Sequence, residues 1–127
     1  MIPEDLRYTA EHEWVAGDGV AGPVRIGITH FAQDALGDIV YVQLPDEGAA
    51  VEAGQAIGEV ESTKSVSEIY APLSGTVVAR NDKLGDTPEE INADPYGSGW
   101  LVEIAPSDPA AVAALLTAAA YRELTES

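Results

Sequence analysis

The close spacing of glycine and proline between short apolar runs constrains this chain more than any other feature. The 127 residues include 12 glycines and 8 prolines, which leaves little room for helices of several turns. Within the runs, Val24, Ile26 and Ile28 alternate with Arg25 and Gly27, and this is the period of a half-buried strand. Because short strands separated by turns build sandwiches and barrels, the pattern predicts a mostly β fold.

Further strands and two helical stretches complete the predicted architecture. Thr29 can cap a short helix that stops at Gly37. Near the C-terminus, Ser107 or Asp108 can cap an alanine-rich helix that runs to about residue 116 and then continues or restarts. We therefore predict a β-sandwich, or flattened barrel, with a short internal helix and a C-terminal helix. The remaining strands are predicted at 39–44, 56–61, 66–71, 75–79 and 100–104.

Length and composition predict one domain with a real hydrophobic core. A chain of 127 residues is too short for two ordinary domains, and 46% of its residues are hydrophobic. We predict a single domain over residues 1–127. Its core is expected at about 8–105, followed by a C-terminal helical segment at 107–124.

The charge of the chain excludes several classes of partner. Its 22 acidic and 6 basic residues give a formal net charge of −16. Proteins that bind nucleic acid need clustered Lys and Arg to displace counterions from phosphates. We therefore predict neither nucleic acid nor an anionic membrane as a partner, whereas basic patches on other proteins are compatible with this charge.

The residue patterns of common enzymes are missing. The chain has no cysteine, which excludes disulfides and thiol catalysis. His12 and His30 are its only histidines; their spacing fits no common metal motif, and no Gly-Xaa-Ser-Xaa-Gly elbow is present. The first residues lack the character of a signal or transit peptide, and no apolar run reaches membrane-spanning length. We expect a cytoplasmic protein that is not an enzyme.

The most informative stretch is 58–70. Small polar residues at 62–65 separate two strand-like arms, which predicts a hairpin with Lys64 at or beside its turn. The chain has two lysines, Lys64 and Lys83. An exposed lysine with small neighbours is an amine that a modifying enzyme can reach, but spacing alone favours an ordinary solvated lysine.

The residues around Lys64 resemble the lipoylation signature of glycine cleavage H proteins. The sequence Glu61-Ser62-Thr63-Lys64-Ser65 is similar to the Glu-Ser-Val-Lys-Ala that is common in that family. It differs from the Met-Lys-Met signature of biotin carriers and from the Asp-Lys-Ala signature of other lipoyl domains. The resemblance continues, in order, through blocks at 8–15, 27–45, 74–77 and 92–101. Thr63 and Ser65 make the tip slightly more polar than the common pattern.

This resemblance implies a lipoyl/biotinyl-carrier-like β-sandwich. Lipoic acid would be attached in amide linkage to the side-chain nitrogen of Lys64 by a lipoyl or octanoyl transferase or ligase. The arm would carry the aminomethyl group from glycine decarboxylase to aminomethyltransferase. It would then pass electrons to dihydrolipoyl dehydrogenase, so the chain itself would be a carrier in a multi-enzyme system.

The resemblance also implies roles for five other residues. Glu61, Gly48 and Gly75 match positions that the family presents to lipoylating enzymes. Glu13 and Glu68 match acidic residues of the surface cleft that protects the loaded arm. A simpler explanation exists in each case, because glycines serve turns and most carboxylates of so acidic a chain only solvate its surface.

Two other functions stay open at this point. The protein could relay lipoyl groups to other lipoyl domains instead of serving glycine catabolism. It could also be a β-sandwich interaction module in which Lys64 is not modified. The mass of the intact protein separates the modified from the unmodified case, and dependence of glycine decarboxylation on the protein separates the two carrier roles.

Overall fold

The computed structural model describes residues 2–126, which form two antiparallel sheets with four short helices. The strands are β1 (Arg7–Tyr8), β2 (Glu13–Ala16), β3 (Val24–Ile28), β4 (Ile39–Gln43), β5 (Ala50–Val51), β6 (Ala56–Ser62), β7 (Val66–Tyr70), β8 (Gly75–Arg80) and β9 (Val102–Pro106). The helices are α1 (His30–Leu36), α2 (Glu90–Ala93), α3 (Ala110–Ala113) and α4 (Ala118–Glu126). The larger sheet has the order β1-β2-β3-β9-β8-β5, and the smaller sheet has the order β4-β6-β7.

Apolar side chains from both sheets meet in a shared core. Ile28 of the larger sheet packs with Ile39, Val60 and Ile69 of the smaller sheet. Removal of these side chains from water is the main force that holds the two layers together. The mostly β sandwich predicted from the sequence is confirmed. A second cluster continues this core along the same face of the larger sheet, because Val24, Ile26 and Ile28 alternate along β3. It contains Val15, Val24, Ile26, Val51, Ala71, Leu73, Val77, Val102, Ile104 and Val112.

The internal helix α1 begins and ends where the sequence predicts. Thr29 Oγ1 accepts a hydrogen bond from Ala32 N–H at 3.2 Å. Gly37 has a φ of +86° and donates its N–H to the Gln33 carbonyl at 3.0 Å. A left-handed φ favours glycine at this position. The two caps fix the point at which the chain enters β4, beside the central hairpin.

Strands β1, β2 and β5 are not predicted by the sequence. β1 and β5 have two residues each, too few to show a period. In β2, Glu13, Trp14 and Val15 are all buried. Trp14 packs in one cluster and Val15 in another, so both faces of β2 are covered and the strand lacks alternation.

The C-terminal segment forms two helices, and the first is shorter than the predicted run to residue 116, so that predicted end is wrong. α3 ends at Ala113, and Leu116 then exchanges two backbone hydrogen bonds of 2.9 Å with Tyr8 of β1. This pairing replaces the helical hydrogen bonds that the alanine content favours. The helix restarts at Ala118, which was one of the two possibilities left open. The proposed domain limits stay a prediction.

The restarted helix packs on the sandwich. Ala118 and Tyr121 of α4 are buried with Tyr8 and Trp14, and the rings of Tyr8 and Tyr121 stack with centroids 4.6 Å apart. Within residues 2–126, no helix is long and apolar enough to cross a membrane.

Candidate functional site

The β6–β7 hairpin carries Lys64 at its tip. β6 ends at Ser62 and β7 begins at Val66, so the turn consists of Thr63, Lys64 and Ser65. Ser62 donates its N–H to the Ser65 carbonyl at 2.8 Å. Its hydroxyl oxygen accepts the N–H groups of Lys64 at 3.3 Å and Ser65 at 3.1 Å. One buried serine therefore fixes the backbone on both sides of the lysine.

The Lys64 side chain is exposed, and its amine has no polar partner among residues 2–126. Its stem lies over Gly37, since a Cβ added to that glycine would be 3.3 Å from Lys64 Cε. The other lysine, Lys83, is also exposed but belongs to a 3-10 turn. An accessible amine on a hairpin tip meets the geometric condition for enzymatic acylation.

The loop between α1 and β4 supports the hairpin tip. Thr63 donates its N–H to the Asp38 carbonyl at 3.1 Å. Gly37 has a φ of +86° and a ψ of −157°, a region that is essentially restricted to glycine. The sequence predicts Gly37 only as a helix stop. The structure adds a second role, because the stem of Lys64 crosses the glycine where no side chain intervenes.

The solvent face of the smaller sheet surrounds the tip with carboxylates and apolar groups. Tyr41, Glu61 and Val66 are neighbours across its three strands, and all are exposed. Glu61 therefore lies on the surface that an enzyme must approach to reach Lys64, while its role in recognition stays a prediction. The next row toward the base of the hairpin consists of Gln43, Glu59 and Glu68.

Gly48 lies in the turn before β5 and Gly75 lies in β8, so both belong to the region of the larger sheet rather than to the hairpin tip. Gly48 donates its N–H to the Val77 carbonyl at 2.7 Å, has a φ of +88° and has open space where a Cβ would be. Gly75 lies within β8, and a Cβ there would collide with the Ala105 carbonyl and lie 2.8 Å from Ile104 Cγ2. A turn therefore explains Gly48, whereas close approach of two strands explains Gly75.

Glu13 lies on the wall of a surface depression of about 360 Å³. The residue is only 2% exposed. Its carboxylate accepts hydrogen bonds from Thr9 Oγ1 at 2.7 Å and from Tyr70 N–H at 3.1 Å. Burial raises the pKa of the Glu13 carboxyl from 4.5 to about 7, although both hydrogen bonds act in the opposite direction. This carboxyl can therefore change its charge near neutral pH.

The depression combines apolar walls with two carboxylates. Glu11 and Glu13 are its acidic lining residues. A slender apolar chain that ends in a cation would match both parts of this surface, because its stem would leave water and its charge would meet a carboxylate. The other lining residues are Tyr8, Thr9, Ala10, Gly54, Tyr70, Ala71, Pro72, Ala114, Leu115 and Leu116.

Glu68 lies outside this depression. It lines a separate hollow with Gln43 and Gly58 on the solvent face of the smaller sheet. Tyr70 connects the depression with this hollow. A hydrogen bond to Glu68 raises the pKa of the Tyr70 phenol, and the Tyr70 N–H donates to the Glu13 carboxylate. The structure thus places Glu13 and Glu68 on two sides of Tyr70 rather than on one wall.

A network behind Glu13 is not predicted by the sequence. His12 has a φ of +69°, and its Nδ1 lies 2.8 Å from the Tyr121 hydroxyl. That hydroxyl also lies 2.7 Å from Thr29 Oγ1, and burial raises the pKa of Tyr121 to about 12. The network joins the β1–β2 turn, the cap of α1 and helix α4. Within the described part of the chain, no group of three or more His, Cys, Asp or Glu residues could hold a metal ion.

This combination of fold and site defines a class of protein. A two-layer β-sandwich that presents one free lysine on a tight hairpin is the arrangement of lipoyl- and biotinyl-carrier domains. The depression beside the sandwich adds a place in which a long side-chain arm could be sheltered.

Comparison with known proteins identifies the family within that class. The model of the family described as Glycine cleavage H-protein matches residues 6–127. The chain is 60% identical over 124 residues to the glycine cleavage system H protein of Micrococcus luteus, and the aligned region covers 98% of this chain and 97% of that protein. It is 52% identical over 125 residues to the protein of that name from Bacillus subtilis, with 98% and 97% covered. The chain belongs to the glycine cleavage H-protein family.

A solved structure agrees with this assignment. The crystal structure of a glycine cleavage system H protein from Mycobacterium marinum matches with a TM-score of 0.91 and 48% identity, and the match covers 99% of this chain and 100% of that one. The family is the lipoyl-carrier component of the glycine cleavage system and is not catalytic itself. The resemblance drawn from the sequence, and the fold it implied, are confirmed.

Proposed function

We propose that the Lys64 amine is the lipoyl attachment point and that the arm built on it serves glycine cleavage. The observation that carries this proposal is an exposed amine, without a polar partner in residues 2–126, on a turn fixed by Ser62 and Asp38. A turn that is already ordered costs little entropy when a modifying enzyme binds it. Acylation would remove the positive charge of Lys64, so the formal charge would change by one unit from −16 to −17.

Glu61 is proposed to contact the lipoylating enzyme directly. It lies three residues before Lys64 and is exposed between Tyr41 and Val66. Gly48 and Gly75 are proposed to act through the shape of the larger sheet, because both lie in or beside that sheet and not at the tip.

The depression beside Glu13 is proposed to shelter the loaded arm. When attached, the lipoyl group would supply a dithiolane whose disulfide opens to take up the aminomethyl group, and the dithiol left after transfer of that group would be reoxidised to the dithiolane. Glu13 would accept a charge-assisted hydrogen bond from the amine, and a cation there would lower the pKa of its carboxyl. Glu11 would add to the attraction from the rim, and the apolar walls would exclude water. Glu68 is proposed to meet the arm or its enzymes on the far side of Tyr70.

Glycine decarboxylase, aminomethyltransferase and dihydrolipoyl dehydrogenase are the proposed partners of the arm. Glu59, Glu61 and Glu68 form an acidic surface beside the hairpin. Together with the net charge of −16, this surface supports docking onto basic patches of those enzymes, since complementary charge speeds encounter and sets orientation.

Intact mass tests the attachment site. After co-expression with a lipoyl ligase and lipoate, we expect one lipoyl-sized addition, which peptide mapping assigns to Lys64. Lys64→Ala is expected to abolish the addition. Lys83→Ala is the matched control because it removes the other exposed lysine, and it should be modified as completely as the parent protein. An addition mapped to Lys83 would refute the proposal.

Reconstitution tests the role of the modified protein. With the three partner enzymes present, we expect glycine decarboxylation to depend on the lipoylated chain and to be lost with Lys64→Ala. If the protein is lipoylated but decarboxylation does not require it, that result supports the alternative function, in which the protein transfers lipoyl groups to other lipoyl domains.

A further inference from the structure

We propose that Asn92 is a positioning residue for the acylation of Lys64, and that it acts through the α1–β4 loop formed by Gly37 and Asp38. This inference rests on Lys64 as the attachment point. Asn92 belongs to α2, and its three side-chain hydrogen bonds go to α1, this loop and the start of β4 rather than to the hairpin. Its influence on Lys64 is therefore indirect.

Asn92 uses both polar ends of its side chain on this loop. Its Oδ1 accepts the Ile39 N–H at 2.9 Å. Its Nδ2 donates to the Gly37 carbonyl and to Gln33 Oε1, each at 2.9 Å. Gln33 is itself buried, so the side chain that orients the asparagine amide is held in place. The asparagine thus brackets Asp38 from both sides.

The bracketed loop is the surface on which the hairpin tip rests. The two loop residues and the first residue of β4 meet three consecutive hairpin residues, 62–64, by a van der Waals approach, a backbone hydrogen bond and a β-pairing. The three pairs are Gly37 with Lys64, Asp38 with Thr63, and Ile39 with Ser62.

An amide side chain suits this task because it donates and accepts at the same time. The Gly37 carbonyl lies just beyond the end of α1, where carbonyls lack intrahelical partners. Gly37 also has a φ of +86° and a ψ of −157°, and such a conformation persists only when its surroundings fix it. Without Asn92, the loop and the tip would sample more positions. A modifying enzyme would then find its binding-competent form less often, which raises the apparent dissociation constant.

The test compares lipoylation kinetics and hydrogen exchange in the full chain. Asn92→Asp keeps the shape of the side chain and the acceptor for Ile39, but it removes both donated hydrogen bonds. We expect kcat/KM for lipoylation by a lipoyl ligase to fall about fivefold, through KM for the protein and not through kcat. The Thr63 amide, which donates to Asp38, should exchange faster by a similar factor.

Asn81→Asp is the matched control. Asn81 is a buried asparagine whose Nδ2 donates to two backbone carbonyls, those of Ser98 at 2.9 Å and Trp100 at 2.8 Å. Its loss should lower the unfolding free energy while leaving KM and Thr63 exchange unchanged. Gln33→Leu is a second variant that removes one of the acceptors of Asn92, and it should shift both measurements in the same direction as Asn92→Asp, by less.

An unchanged KM in Asn92→Asp overturns the proposal. It is also overturned if Asn81→Asp loses as much unfolding free energy as Asn92→Asp and shows an equal rise in KM. If Asn92→Asp does not fold, Gln33→Leu decides, and no change in its KM overturns the proposal. If the parent protein is not lipoylated on Lys64, the attachment site itself is wrong. Thr63 exchange then decides separately whether Asn92 holds the tip.

Discussion

Replacement of Glu13 by glutamine should remove a pH dependence of stability that this one carboxyl produces. Glu13 is 2% exposed and accepts hydrogen bonds from Thr9 and Tyr70. Burial raises its pKa from 4.5 to about 7. Glutamine has nearly the same shape and keeps one acceptor oxygen, but it carries no charge at any pH. The variant therefore isolates the cost of ionising this buried group.

The sign follows from where the proton is bound. Between pH 4.5 and about 7, the folded protein keeps the Glu13 proton and the unfolded chain releases it. The unfolding free energy therefore falls as the pH rises through this window, and the stabilisation present below pH 4.5 is lost above about 7. The difference between the Glu13 pKa in the unfolded chain and in the folded protein corresponds to about 3 kcal/mol of unfolding free energy. This is a large share of a typical unfolding free energy of about 5–15 kcal/mol.

Urea denaturation from pH 4.5 to pH 8.5, followed by the fluorescence of the two tryptophans, Trp14 and Trp100, measures the effect. The quantity of interest is the unfolding free energy of the parent minus that of Glu13→Gln, because other carboxylates cancel in this difference. We expect the difference to fall by up to about 3 kcal/mol as the pH rises. Glu11→Gln, which removes an exposed neighbouring charge, should keep most of the parent slope. Parallel curves for the parent and Glu13→Gln would refute the reasoning.

Two further predictions concern packing and the C-terminal helix. Gly75→Ala should lower the unfolding free energy by about 3 kcal/mol because its Cβ would collide with the Ala105 carbonyl. Gly48→Ala should lower it by only about 1 kcal/mol, because only the left-handed φ opposes a side chain there; equal losses in thermal or urea unfolding would contradict this account. Tyr121→Phe keeps the ring stack with Tyr8 but loses the hydroxyl that lies between His12 and Thr29, so it should lower the unfolding free energy by about 1–2 kcal/mol. Tyr8→Phe, which loses one hydrogen bond to Pro3, serves as its control and should cost less.

Local patterns were sufficient wherever the structure depends on neighbours in sequence. The cap at Thr29, the stop at Gly37 and the hairpin around Lys64 each depend on residues a few positions apart, and all three are seen. The predicted end of the first C-terminal helix at residue 116 was wrong because Leu116 pairs with Tyr8, more than a hundred residues away in sequence. Propensity cannot anticipate such a partner.

The supports of the candidate site were missed for the same reason. Asn92 contacts a loop more than fifty residues before it, and Tyr121 meets His12 at a separation of 109 residues. Neither contact leaves a spacing pattern in the chain. The raised pKa of Glu13 is likewise a product of tertiary burial, since β2 shows no sign in its sequence that both of its faces are covered.

The burial of Glu13 would let the depression distinguish a loaded arm from an empty one. With no cation present, an ionised Glu13 costs desolvation energy that its two hydrogen bonds do not offset, which is why its pKa is about 7. An arm that ends in an ammonium group would stabilise the carboxylate, while a neutral arm would gain nothing from it. Binding of the loaded arm would therefore release a proton near neutral pH, and its affinity would rise with pH through the same window in which the empty protein loses stability.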